Sequence, residues 1–421
     1  MSNQKGVFQL NRSFNEIEED KSWSFEEIKR KETSYLTHSY HRYPAKFIPQ
    51  LARRCILEYS KENDLIVDPF CGSGTTLVES LIYKRRSLGV DINPVAILIS
   101  KAKLTPILPE KLEFTFQNLL TKIEELKINR LDFNERIKYW FPSEEIRLKL
   151  FNILEEINSL KEDNLKTFFL CGFSQILKNC SIWLAKSNKP TRDFKKIIPD
   201  PYKVFHRQIK SMIKKNEEFY ALIKNNSTII NNSAIFADAR NIPLEKESVK
   251  LIVTSPPYVT SYEYADLHQL TALWLKYSNS LSEFRNGFIG SIQKNNLNYT
   301  NIKSEIAIEI LKKLGKESKA ISSYFLDMQQ CFEEMYRILQ NKGLACIVIG
   351  NTKIKGIDIL NAEIFVEIMN NIGFKTDKII KRAVPSKILP QTRDSKTGRF
   401  AKTHESDRLS YNNEYIIIME K

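Results

Sequence analysis

Leu65-Ile66-Val67-Asp68-Pro69-Phe70-Cys71-Gly72-Ser73-Gly74-Thr75-Thr76 begins apolar, turns through two glycines and runs into the apolar segment Leu77 to Tyr83. The apolar start reads as a short buried strand and the segment beyond the glycines as a helix. Gly72 and Gly74 permit a tight turn over which a ligand can approach the backbone, and the helix start behind them offers free N–H groups. The next strand, Ser87-Leu88-Gly89-Val90, ends at Asp91-Ile92-Asn93-Pro94. An acid at the end of the second strand, about twenty residues past a glycine turn, is placed to bind ribose hydroxyls. The turn is neither of the usual pyrophosphate cradles. Leu77 stands where a dinucleotide fingerprint has its third glycine, and no lysine follows as in a P-loop.

A second stretch carries chemistry of its own. The run Val249, Leu251, Ile252, Val253 stops abruptly at Thr254-Ser255-Pro256-Pro257-Tyr258. That is a buried strand ending in a rigid, polar-tipped turn with an aromatic ring beside it. Ser255 Oγ and a proline carbonyl offer two hydrogen-bond acceptors next to a flat stacking surface, which suits a planar base with an exocyclic amine. Taken alone, the same five residues serve equally as a proline-stiffened loop with a buried tyrosine. The glycine turn upstream favours the chemical reading.

The totals set bounds. At 421 residues the chain exceeds the usual single-domain size, and 42% hydrophobic residues can bury a large core. A net charge of +14 points to a polyanionic partner. The six cysteines form no C-x-x-C pair and read as free thiols in a reducing cytoplasm. Met1 to Lys5 lacks an apolar signal segment, and no run approaches the roughly 18 apolar residues of a membrane span. A soluble cytoplasmic protein without membrane association is expected.

Residues 1–33 read as a loosely packed lead-in anchored by Trp23 and Phe25, followed by an aromatic segment from Tyr35 to Phe47 and a helix from Pro49 to Tyr59. His38 and His41 are three apart, but no ligand set completes a metal site nearby. From Thr105 to about Asn232 the strand–helix alternation stops and helical spacing takes over, as in Glu110 to Asn129 and Ser143 to Leu160. Lys178 to Lys215 holds eleven Lys or Arg and two acids, interleaved with Trp183, Phe194, Tyr202 and Phe205: a candidate nucleic-acid surface. Residues 225–232 read as a closing loop. The sheet resumes at Ser233 to Arg240, with Asp238 at the strand tip, and continues through Leu344 to Gly350 and Glu414 to Met419. Residues 278–303 and Pro385 to Gly398 read as loops, Asn341-Lys342-Gly343 as a turn, and Phe325 to Leu339 and Glu363 to Asn371 as helices. The expected divisions are 1–104 and 233–421 as two halves of a catalytic domain and 105–232 as a helical insertion.

Together, Asp68 to Thr76, Asp91 to Pro94 and Ser255 to Tyr258 resemble the amino-group DNA methyltransferases that use S-adenosylmethionine, and His41-Arg42-Tyr43-Pro44-Ala45-Lys46-Phe47 looks like that family's N-terminal cofactor segment. The resemblance covers residues 35–103 and 233–420 and implies a Rossmann-like class I sheet, mostly parallel with an antiparallel C-terminal strand. It implies cofactor contacts from Lys46, Phe47, Asp68, Pro69, Phe70, Cys71, Gly72, Ser73, Gly74, Thr75, Asp91, Ile92, Asn93, Asp238 and Ala239. The turn would curve under the methionine, Asp91 would hold the ribose, and Asp238 would meet the adenine amine. Ser255, Pro256, Pro257 and Tyr258 would hold a base flipped out of double-stranded DNA, and the first-position serine is similar to the cytosine-N4 enzymes rather than the adenine-N6 ones. A restriction-modification system with a cognate endonuclease is the implied setting. One departure is the insertion ahead of Asp238, since related enzymes often place the recognition region elsewhere. No cysteine follows a proline, against the nucleophile of cytosine-C5 enzymes, and Cys71 reads as a packing residue. The rivals are an RNA guanine-N2 methyltransferase and a catalytically dead nucleic-acid binder.

Overall fold

The strands are rich in Ile, Val and Leu on both of their faces because helices cover both faces of the sheet, the pattern that parallel sheets require. The computed structural model describes residue 14 and residues 16–44, 46–126, 131–224, 231–259, 264–285, 287–289, 301–384 and 413–421. Seven strands form the main sheet: β1 (Leu65–Asp68), β2 (Arg86–Asp91), β3 (Asn232–Phe236), β4 (Val249–Thr254), β5 (Leu339–Ile349), then β8 (Lys375–Ala383) and β9 (Asn413–Glu420). Between β5 and β8, β6 (Thr352–Ile354) and β7 (Ile357–Ile359) make a separate hairpin.

The order in the main sheet is β3-β2-β1-β4-β5-β9-β8. Strands β3 to β5 are parallel, β9 runs antiparallel to β5, and β8 antiparallel to β9. The expected mostly parallel sheet with an antiparallel C-terminal strand is therefore present. The chain moves outward from β1 through β2 to β3, then returns to the other side of β1 with β4. That reversal opens a crevice at the carboxyl ends of β1 and β4, where doubly wound sheets bind ligands.

Side chains alternate across the sheet with period two. Val67, Ile252 and Ile347 face a core shared with α11 (Glu305–Leu314), α12 (Ser318–Ile338) and α13 (Asn361–Ile372), while Ile66, Leu251, Val253 and Cys346 face α1 (Pro49–Tyr59) and Trp23. Two more helices follow the first two strands, α2 (Thr75–Ile82) and α3 (Pro94–Leu104).

The insertion supplies α4 (Pro109–Glu125), α5 (Glu135–Trp140), α6 (Glu144–Asn158), α7 (Asp163–Leu177) and α8 (Pro201–Lys224). Local signals start these helices: proline opens α4 and α8, Asn134 caps α5 by accepting from Arg136 N, and Ser143 caps α6 by accepting from Ile146 N. Their apolar core is continuous with Val95, Ile99 and Ala102 of α3 and with Leu270 and Trp274 of α9 (Tyr264–Trp274). The insertion is thus packed onto the sheet layer through one shared core.

Several local expectations are corrected. The described part of the lead-in is packed: Trp23 is fully buried, its carbonyl accepts from Arg382 Nη1, and Asp20 N donates to the Lys381 carbonyl at the outer edge of β8. Strand β8 itself escapes a pattern search because Lys375, Asp377, Lys378 and Lys381 interrupt the apolar run, as charges do on an edge strand. Residues 278–303 include a short helix, α10 (Leu281–Arg285). The Asn341-Lys342-Gly343 turn lies inside β5, as an irregularity where Lys342 takes φ 58°. Residues 1–13, 225–230, 290–300 and 385–412 lie outside the described residues, and with them the readings made there.

Gly89 in β2 has no space for a side chain: a Cβ there would sit 2.5 Å from Leu77 Cδ1 and 2.8 Å from Cys71 Cβ. Gly89→Ala is expected to lower stability by about 1–3 kcal/mol through overpacking, seen as a lower urea midpoint at an unchanged m-value.

Candidate active site

The crevice is built on one buried carboxylate. Asp68 ends β1, and its Oδ1 accepts from Thr254 Oγ1 at 2.6 Å while Oδ2 accepts from Thr76 Oγ1 at 2.8 Å; Phe70 N also donates to Oδ1 at 3.1 Å. Thr76 Oγ1 is in addition 3.1 Å from the Val253 carbonyl. The glycine turn, the start of α2 and the end of β4 are therefore cross-linked by side chains that are all buried. Burial raises the Asp68 carboxyl to about 6, opposed by these hydrogen bonds.

The turn behind Asp68 has the expected backbone. Gly72 and Gly74 take φ 49° and 75°, and Cβ atoms on them would meet Tyr43 at 3.2 Å and Ser100 Oγ at 2.8 Å. Gly74 caps α2 without a side-chain bond. Ser100 Oγ and Lys103 Nζ donate to the carbonyls of Gly72 and Ser73 at 2.8 and 2.9 Å, holding the turn from the α3 side. Pro69 and Cys71 are buried, Phe70 packs against the core, and Cys71's thiol is pushed well up by burial, as befits a packing residue. Ser73 Oγ is buried with no hydrogen-bond partner among the described residues.

Asp91 ends β2 with its carboxylate over the turn, accepting from Gly72 N at 2.9 Å and Asn93 N at 2.8 Å. Burial raises this carboxyl to about 6 as well. Asn93 Oδ1 caps α3 at Val95 N, and its Nδ2 lies 2.8 Å from His268 Nδ1 on α9. His268 packs on Tyr43 with ring centroids 4.9 Å apart, and burial lowers its imidazole to about 4, so the ring is neutral. On the neighbouring strand, β3, Phe236 pairs with Asp91, and Asp238 follows just beyond. The Asp238 carboxylate is gripped by the Arg240 guanidinium, which also reaches Asp327 Oδ1 at 2.7 Å. Ala239 is buried in the core, and Ile92 faces Gly287, where a Cβ would come within 2.8 Å of its Cδ1.

At the end of β4 the Ser255–Tyr258 turn is fixed from two sides. Tyr324 OH donates to the Pro257 carbonyl at 2.7 Å, and Tyr258 OH donates to Glu414 Oε1 at 3.2 Å. Gly350 lies against the tyrosine ring, where a Cβ would be 3.2 Å from Cε2. Glu414 is in turn paired with Arg382. The first segment closes the other side. Lys46 Nζ donates to the His38 carbonyl at 3.1 Å, and burial lowers its ammonium to about 8. Phe47 packs on the α1 face of the sheet, away from the core of the other face. Among the described residues no three His, Cys, Asp or Glu side chains converge as a metal site.

A nucleoside with an amino-acid tail fits this crevice. Asp91 has lone pairs beyond its two backbone bonds for hydroxyls, and the buried Ser73 hydroxyl has no hydrogen-bond partner among the described residues. The sequence-derived residues that the structure brings to this crevice are Asp68 to Thr75, Asp91 to Asn93 and Ser255 to Tyr258. Thr76 and Thr254 stand in the quoted motifs, but their bonds to Asp68, like the parts played by Lys103 and His268, escape sequence reasoning, because a threonine in a strand or a lysine in a helix carries no signal of what it meets across the sheet.

The basic stretch is only partly a surface. Trp183 and Phe205 are 2% and 0% exposed and belong to the insertion core. Lys178 and Lys196 donate to backbone carbonyls, and Lys210 and Lys215 pair with Glu113 and Glu218.

A family profile described as DNA methylase, for the N6 and N4 methyltransferases, matches residues 3–102 and 249–421, leaving the insertion and Asp238 outside the match. The type II methyltransferase M.MvaI of Kocuria varians is 29% identical over 91% of this chain and 92% of its own length. M.BsoBI of Geobacillus stearothermophilus, also a type II methyltransferase, is 23% identical over 81% of this chain and 79% of its own. The DNA adenine methyltransferase YhdJ of Escherichia coli is 30% identical over 20% of this chain and 26% of its own. No helix among the described residues is long and apolar enough to cross a membrane.

The two raised carboxyls give a pH signature. Asp68 and Asp91 move from an ordinary 3.8 to about 6 on folding, so folding takes up protons between those values. Their contribution is full below the lower value and is lost as pH rises through the upper one. Asp68→Asn is expected to flatten the fall in urea midpoint with pH across that window, and equal slopes for both proteins would contradict the assignment.

Proposed function

The chain belongs to the N6/N4 DNA methylase family and uses S-adenosylmethionine, and on that premise we propose that it methylates the exocyclic amine of a base flipped out of duplex DNA, with cytosine N4 as the target. The observation that carries the reading is the Ser255–Tyr258 turn, held against the glycine turn through Thr254 and Asp68. A serine opens that turn, and a serine there goes with cytosine-N4 chemistry in the resemblance. The partial likeness to an adenine enzyme keeps adenine N6 as the second reading.

When bound, S-adenosylmethionine supplies an electrophilic methyl group. Asp91, with Ile92 and Asn93 beside it, would accept hydrogen bonds from the ribose, and the resemblance would bring Asp238 and Ala239, just beyond β3, to the adenine end. The backbone of Asp68 to Thr75 would hold the methionine end, with Lys46 on the first segment that closes the other side and Phe47, which the resemblance also assigns, packed on the α1 face. Because Tyr324 occupies the Pro257 carbonyl, the Pro256 carbonyl and Ser255 Oγ are the acceptors for the target amine. Two acceptors on one amine align its lone pair and stabilise the positive charge that develops there. Tyr258 stacks on the extruded base and offsets part of an unstacking cost of a few kcal/mol. Its hydroxyl bond to Glu414 and its contact with Gly350 keep the ring from turning away.

In this reading residues 1–104 and 233–421 form the catalytic domain and 105–232 forms the DNA-facing layer. The methylated site would protect host DNA from a cognate restriction endonuclease.

Ser255→Ala is expected to lower kcat by about 10²- to 10³-fold, as loss of one aligned hydrogen-bonding group does, with cofactor affinity unchanged by calorimetry. Asp91→Ala should instead weaken S-adenosylmethionine binding by roughly 10-fold or more, as loss of a charged hydrogen-bond partner does. Nucleoside mass spectrometry of DNA from an expressing host should show N4-methylcytosine. N6-methyladenine alone would transfer the assignment to the second reading.

A further inference from the structure

Residues 181–199, between α7 and α8, carry features that the catalytic crevice does not use. The loop is braced from inside. Lys196 Nζ donates to the carbonyls of Lys178, Ser181 and Trp183 at 2.8, 2.7 and 3.0 Å. Leu184 N donates to Thr191 O at 2.8 Å and Asp193 N to Ile182 O at 2.7 Å, so the chain doubles back as a short hairpin. Trp183 stacks on Trp140 with centroids 5.0 Å apart, and Trp140 Nε1 donates to Gln269 Oε1 on α9 at 3.1 Å. Helix α9 follows the Ser255–Tyr258 turn in the chain, so the loop is tied to the element that leads out of the base site.

The outer side of this braced loop is unlike a solvated face. Phe194 is 74% and Ile197 91% exposed. The Arg192 guanidinium carbon lies 4.8 Å from the Phe194 ring centroid and 4.0 Å from that of Tyr139, itself partly exposed. Lys186, Lys189 and Lys195 are exposed beside them. The acid among residues 184–199 is Asp193, and its Oδ1 accepts from Lys195 N within the loop. A guanidinium stacked on rings keeps its N–H edge available for a phosphate or a guanine edge. Apolar side chains ringed by cations suit deoxyribose and base edges behind a phosphate backbone, and the excess of cations disfavours a neutral or basic protein surface.

We propose that residues 184–199 form a DNA-contacting finger, in which Lys186, Lys189, Arg192 and Lys195 hold phosphates and Phe194 and Ile197 press against the duplex beside the target base. This rests on the function proposed above. The test uses the full chain, a duplex that it methylates, fluorescence anisotropy across a salt series, and S-adenosylmethionine calorimetry as the folding control. Phe194→Ala is expected to weaken duplex binding about fivefold or more, the effect of losing an aromatic contact with nucleic acid, at an unchanged salt slope, and Phe194→Trp to restore it. Arg192→Ala should lower the slope by about 0.9, the share of one phosphate contact. Wild-type affinity for Phe194→Ala and Arg192→Ala alike, with cofactor binding intact, would overturn the finger and assign this face to a protein partner or to solvent. A wild-type chain that neither binds nor methylates duplex DNA would overturn the proposed function itself, and the finger with it.

Discussion

A carboxylate buried at the end of β1 organises this protein. A charge removed from water is costly unless donors surround it, and Asp68 recruits them from three places: the hydroxyl that ends β4, the hydroxyl on the first turn of α2 and the backbone of its own turn. Meeting that requirement forces the glycine turn and the Ser255–Tyr258 turn to lie side by side at the point where the sheet reverses direction. Their common attachment to one side chain makes them a single crevice.

The same logic extends outward. Asp91 is satisfied by the backbone of the glycine turn, Asn93 divides its amide between capping α3 and binding His268, and Gln269, the next residue of α9, accepts from both Trp140 and Arg136. Two adjacent residues of α9 thus connect the crevice to the helical insertion. The apolar counterpart is the shared core of Val95, Ile99, Leu270 and Trp274 with the insertion helices. An insertion packed this way is positioned by the sheet layer itself.

The distribution of positive charge follows from what each ammonium meets. Lys103 and Lys196 are spent on carbonyls that end helices or turn loops, where an unpaired acceptor would otherwise be buried. Arg240 and Arg382 are spent on Asp238 and Glu414. What remains exposed is a smaller set than the net charge of +14 suggests, and it includes Lys186, Lys189 and Lys195 of the 184–199 loop.

The sequence by itself determined the sheet class, the two turns at the carboxyl ends of β1 and β4 and the acids at or just past the ends of β2 and β3, because each is written locally: β-branched runs, paired glycines, paired prolines, an acid at a strand end. It also marked the insertion, where the helical period replaces the alternation of strand and helix. Only the tertiary structure decided that Thr254 and Thr76 share Asp68, that Asp238 is gripped by Arg240, that Trp183 and Phe205 are core while Phe194 is surface, and that β8 is an edge strand closed by the lead-in. Most of those outcomes depend on partners far along the chain, as Thr254 is from Asp68, and even the near pair Asp238–Arg240 is set by the fold that also brings Asp327 to the guanidinium. Composition and periodicity hold no information about which group arrives to complete a hydrogen bond or cover a ring.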